Sequence, residues 1–177
     1  VSMSKSISIL DKDYAQWVED LSVRYRQSQI RASVKVNREL LRYYWELGRD
    51  IEEMHVEERW GQGIIKNLSA DLQQRNPNAT GLSRTNIYYA KKFYLLYSQY
   101  FNNIPQVVGQ LDEILFSIPW GHHRYLMDKY SKDPAKAFYY VRKTMEEGWS
   151  RDVMLNQMDS NLYEREGKAL TNFKNTL

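Results

Sequence analysis

The first 76 residues contain no proline, and between about Tyr14 and Glu57 only Gly48 resists a helix. All four prolines (Pro77, Pro105, Pro119 and Pro134) come later. Within this stretch Ile30, Val34, Asn37, Leu41, Tyr44, Gly48 and Ile51 recur at alternating steps of four and three, the spacing of a helix–helix seam. Leu40, Leu47 and Met54 widen the stripe, so the helix is expected to pack on both its own domain and a partner. Asn37 is either a polar residue that sets register within the seam or a solvent-facing residue at its edge.

The other side of this helix carries charge. At about 100° per residue, Arg24, Arg31, Lys35, Arg38 and Arg42 fall within an arc of roughly 60°. Glu39, Glu46, Asp50, Glu53 and Glu57 occupy nearly the same side further along. A helix that is basic in its first half and acidic in its second has three readings. The face is solvated, or two copies pair antiparallel and match opposite charges to form a homo-oligomer through this helix, or the basic half lies against phosphates.

Two corners nearly repeat. Gly81-Leu82-Ser83-Arg84 and Gly148-Trp149-Ser150-Arg151 each open an apolar-periodic segment, and each follows a Trp-Gly pair, Trp60-Gly61 and Trp120-Gly121. A glycine followed two residues later by serine reads as a turn delivering a helix cap. Between them, Ile64, Ile65, Leu68 and Leu72 repeat at helical spacing up to Asn76-Pro77, a stop. Ser83 is predicted to cap a helix to about Tyr100 with Leu82, Ile87, Ala90, Tyr94 and Tyr97 on its buried side. Asn102-Asn103-Ile104-Pro105 breaks the chain. Gln106 to Phe116 is ambiguous between helix and strand, with helix preferred. His122 to Tyr130 and Ala135 to Glu146 read as helices, the second with Asp133 as cap and Pro134 as first residue. Ser150 caps a last helix containing Met154, Leu155, Met158 and Leu162.

The expectation is therefore an all-α protein: a long N-terminal helix followed by two helix-turn-helix-like units, each of which could equally be an ordinary helical corner. Residues 1–10 are read as a disordered or non-native N-terminus, since Val1-Ser2 before Met3 resembles a cloning remnant. Residues 11–59 form the long helical segment, 60–103 the first unit, 104–166 the second, and 167–177 a tail. At 177 residues the chain suffices for one well-buried domain or two small ones. It has no cysteine, which excludes a disulfide framework or thiolate metal site and fits a cytoplasmic protein. No apolar run approaches the roughly 18 residues a membrane span needs.

Net charge is only +3, so its distribution decides which partners are plausible. From Gly61 to Tyr100, Lys66, Arg75, Arg84, Lys91 and Lys92 face Asp71 alone, a balance of +4. From Gly148 to Glu166, Arg151 and Arg165 face Asp152, Asp159, Glu164 and Glu166, a balance of −2. The first corner is thus the candidate for duplex DNA, with Arg84, Thr85, Tyr88 and Lys92 at a groove and Lys66, Lys91 and Arg42 on phosphates. The second is a packing or partner module. Catalysis finds no support. His55, His122 and His123 lack metal-ligand spacing, Gly61-Gln62-Gly63 lacks the rest of a nucleotide loop, and no nucleophile–base pair stands out, so neither metal nor cofactor is expected.

Several strings occur together in order: Tyr44-Trp45-Glu46-Leu47-Gly48-Arg49-Asp50-Ile51, Trp60-Gly61, Leu68-Ser69-Ala70-Asp71-Leu72, Gly81-Leu82-Ser83-Arg84-Thr85-Asn86-Ile87, Phe93-Tyr94, Ile118-Pro119-Trp120-Gly121-His122-His123 and Gly148-Trp149-Ser150-Arg151. Over roughly residues 14 to 174 the chain resembles the N-terminal domain of bacterial YhcG-type proteins, a domain of uncertain function usually followed by a PD-(D/E)XK-type nuclease domain. The resemblance implies the helical, DNA-binding half of a nuclease-type protein. Relatives continue past a segment like Lys168-Ala169-Leu170-Thr171-Asn172-Phe173 into the nuclease, and the chain is expected to lack that C-terminal domain and its catalytic residues.

Overall fold

The computed structural model describes residues 11–103 and 108–167. The expected N-terminal extension, the break at Ile104-Pro105 and the tail from Lys168 onward lie outside the described residues. Helix α1, Lys12–Glu53, opens at Asp11, whose carboxylate accepts from the N–H groups of Asp13 (2.9 Å) and Tyr14 (3.4 Å). It ends four residues short of the expected Glu57, because His55 turns the backbone left-handed at φ 51°. A short α2, Val56–Trp60, and the Gly61–Gly63 turn lead into α3, Ile64–Arg75, which stops before Asn76-Pro77.

Helix α4, Arg84–Asn102, starts where the cap pattern predicts: the Ser83 hydroxyl accepts from the Asn86 N–H at 3.2 Å. Losing such a cap costs about 1 kcal/mol, so Ser83→Ala is expected to lower the unfolding free energy by that amount, seen as a lower urea midpoint with an unchanged slope. Ser83→Asp, which keeps an acceptor, should leave it nearly unmoved. The described part of the ambiguous segment is helical: α5 runs Val108–Leu115. Then come α6, Trp120–Lys129, α7, Pro134–Glu147, and α8, Arg151–Asp159. Asp133 accepts from the Lys136 N–H (3.2 Å), Pro134 sits at the first helical position, Gly148 ends α7 and Ser150 caps α8. The described residues contain no strand, and the protein is all-α.

The two corners differ in their connections. Residues 76–83 join α3 to α4, a longer link than the roughly three or four residues of a helix-turn-helix. Gly148, Trp149 and Ser150 alone join α7 to α8.

Helix α1 packs along α4. Leu41, Tyr44 and Ile51 are buried there, and Trp45 meets Phe93 edge-on with centroids 5.6 Å apart. The C-terminal half of the seam is therefore filled by the chain itself, and a second copy cannot use it. Leu40 and Met54 do not widen this contact; both are exposed. On α4 the buried side is Ile87, Ala90, Phe93, Leu96, Tyr97 and Phe101. Leu82 and Tyr94, expected in the core, are only half-buried. Tyr94 instead directs its hydroxyl to Glu53 at 3.1 Å. The main core is aromatic and draws on helices of both corners. A smaller one of Ile51, Val56, Ile65 and Ile87 closes α1, α2 and α3 onto the start of α4.

Candidate nucleic-acid interface

The first corner is tied down at its backbone carbonyls. Tyr44 donates to the Gly81 carbonyl (2.8 Å), and Ser69 donates to that of Leu82 (2.7 Å). Gln73 bridges Ser69 and Leu82 at 2.8 and 3.2 Å. The Trp120 indole N–H reaches the Asn86 side-chain oxygen at 3.3 Å. Gly81 has φ 93°, where a side chain is strained, and an added Cβ would lie 2.4 Å from the Tyr44 hydroxyl. Buried polar groups satisfied in this way hold a turn in one geometry, so side chains leaving α4's first turns project from a fixed base.

Those side chains form one outward face. At about 100° per residue, Arg84, Thr85, Tyr88, Tyr89 and Lys92 span an arc of roughly 140°, and no acidic residue occurs in α4. Arg84, Thr85 and Lys92 are exposed. The Arg84 guanidinium lies 5.7 Å from the Tyr88 ring, and the Lys92 ammonium 5.2 Å from that of Tyr89. Arg124 of α6 covers Tyr89 at 4.5 Å. Tyr89 donates to both oxygens of Asp128 at 2.9 Å, which pushes its own pKa up, with burial adding to the effect and Arg124 opposing it. Tyr89 thus stays neutral between two cations, with one carboxylate alongside.

Sequence reasoning missed Tyr89 and Arg124. Tyr89 sits three residues before Lys92, a spacing visible in the chain. Arg124 comes from a different helix, and nothing local announces it.

The remaining predicted contacts are dispersed. Lys91 is one residue from Lys92 and so about 100° away around α4. There it pairs with Glu57 and, at 3.7 Å, with Glu52. Burial opposes the ammonium, yet the two carboxylates outweigh it and raise its pKa above the usual lysine value. Lys91 therefore braces α4 against α1 and α2, which leaves its charge neutralised locally. Lys66 is exposed on α3, one turn before Ser69 and beside the corner. Arg42 is exposed on α1, two residues from Tyr44 and so on nearly the opposite side, with Asp112 as a charged neighbour. It does not join the α4 face.

The second corner matches three of its lysines internally. Lys129 meets Asp159 (3.0 Å), Lys143 meets Glu166 (3.3 Å), and Lys136 pairs with Glu164. A cleft of about 800 Å³ separates this corner from α1, with Arg31, Lys35 and Arg38 on one wall and Ile118, Pro119 and Trp149 opposite.

Neither adjacent histidine faces a metal-like cluster. His122 is buried and donates from Nε2 to the Trp149 carbonyl (3.1 Å). His123 is fully enclosed, donates from Nε2 to the Leu115 carbonyl (2.7 Å), and packs against Phe93 at 4.8 Å. No group of three or more potential metal ligands exists among the described residues. Burial pushes the His123 pKa down to about 3, despite the carbonyl that favours its charge. The unfolded chain then binds a proton that the native protein refuses. This stability is complete above about pH 6.5 and declines as pH falls toward 3. Between pH 7 and 5 it amounts to about 2 kcal/mol. Urea unfolding at both values should show the loss, and His123→Gln should remove this share of it, leaving that of His122, whose pKa burial also lowers.

No helix of the described residues is long and apolar enough to cross a membrane. No curated protein and no solved structure matches the chain. The family described as the DUF1016 N-terminal domain matches residues 20–165, and the chain belongs to it.

Proposed function

We propose that the chain is a non-catalytic module that binds duplex DNA through the first turns of α4. The observation that carries this reading is the convergence of Arg84, Lys92 and Arg124 around Tyr88 and Tyr89, on an exposed helix face without acidic residues of its own. Arg and Lys neutralise phosphates, Thr and Tyr hydroxyls add hydrogen bonds to them, and the α4 N-terminus contributes its partial positive charge. Lys66, exposed on α3, adds a further phosphate contact in this reading. Lys91 and Arg42 do not belong to that face. With few base-reading groups, the expected binding is tolerant of sequence. In this reading any hydrolysis belongs to a nuclease domain of the PD-(D/E)XK type joined to the module, which supplies the hold on DNA. The test is a fluorescence-anisotropy titration of labelled duplex DNA at several salt concentrations. Log-linear weakening with salt supports the reading, and the absence of salt-sensitive binding ends it.

A further inference from the structure

Helix α1 carries a second apolar stripe that the body does not cover. Tyr14, Trp17, Val18, Leu21, Tyr25, Ala32 and Val36 fall within an arc of roughly 100°, opposite the stripe buried on α4. Tyr25 is 65%, Trp17 55% and Val36 82% exposed, so these side chains lie open on the part of α1 that precedes Leu41. Single exposed apolar residues need no explanation, but a row of this length, interrupted by Ser28, does.

Charge identifies what covers it. One flank of the stripe, an arc of roughly 60°, holds Asp13 and Asp20 and then Arg24, Arg31, Lys35 and Arg38. The other flank carries Ala15, Ser22 and Gln29, with no charge. When two identical helices pair antiparallel, like flanks face each other, whereas parallel pairing sets each flank against the opposite flank of the partner. The stripe is also centred: Tyr14 and Val36 each stand 11 residues from Tyr25, and Val18 and Ala32 each stand seven.

We infer that two copies of this chain pair antiparallel through the Tyr14–Val36 stripe of α1, with Tyr25 opposite Tyr25. In this register Tyr14 meets Val36, Val18 meets Ala32, Asp13 faces Arg38 and Asp20 faces Arg31 of the other copy. Parallel pairing would set this charged flank against the uncharged flank of Ala15, Ser22 and Gln29, with no opposite charges matched. The pairing is independent of DNA binding, since it leaves the α4 face open.

The chain has no cysteine, so single introduced thiols report the register cleanly. Tyr25→Cys should form an intermolecular disulfide on its own. Tyr14→Cys should not, but should do so when mixed with Val36→Cys. Light scattering of the parent chain should give twice the monomer mass. Leu21→Asp should give a monomer with unchanged circular dichroism. Arg31→Asp with Arg38→Asp should raise the dimer dissociation constant roughly tenfold or more, and adding Asp13→Arg with Asp20→Arg should recover it. A parent chain that stays monomeric at high micromolar concentration overturns the inference, as does self-coupling of Tyr14→Cys.

Discussion

Replacing Gly48 with alanine is expected to destabilise the protein by about 3 kcal/mol or more. In a chain of this size that corresponds to a fall in melting temperature of roughly 6–12 °C. Within an exposed helix the same change would stabilise by about 1 kcal/mol, because alanine is the better helix former. The sign reverses here because an added Cβ would stand 2.2 Å from the Ala90 carbonyl oxygen and 2.9 Å from its carbon. Those atoms are α4 backbone and cannot swing aside. The helices would have to separate, opening the contact that buries Leu41, Tyr44 and Ile51. Thermal unfolding followed by circular dichroism reads the effect directly. A variant as stable as the parent would refute the close approach of α1 and α4.

Arg84→Ala combined with Lys92→Ala should weaken duplex DNA binding by roughly ten- to a hundredfold near physiological salt. It should also reduce the slope of log affinity against log salt by about two. Both side chains are exposed, so the fold should tolerate their loss. Lys91→Ala makes the informative contrast. Its ammonium is matched by Glu57 and Glu52, so removal should change stability more than DNA affinity. Lys129→Ala, whose charge is matched by Asp159 on the second corner, should leave affinity unchanged. Equal losses in all these variants would point to diffuse attraction by net charge and against a built face.

Much of the secondary structure is legible from local chemistry. Asp133 before Pro134, serines after Gly81 and Gly148, and the proline-free run through Gly48 each act within a few residues. The helices begin and end close to where those signals lie. The errors occur where contacts are remote. Tyr94 fits the periodic stripe as well as Phe93 does, and only Glu53, on α1, decides that Tyr94 stays at the boundary. Lys91 and Lys92 are the same residue type side by side. A 100° turn sends one into a carboxylate pair and leaves the other on the open face. No spacing in the chain foretells that Arg124 returns to Tyr89.

The one-dimensional chain was enough for the helical class, the caps and the concentration of positive charge near the first corner, because those depend on neighbours within about a turn. Which lysine keeps its charge, and which apolar row of α1 stays open to water, were decided by the packing alone. The reason is physical: a helix presents several usable faces at once, and only the rest of the fold determines which of them water can still reach.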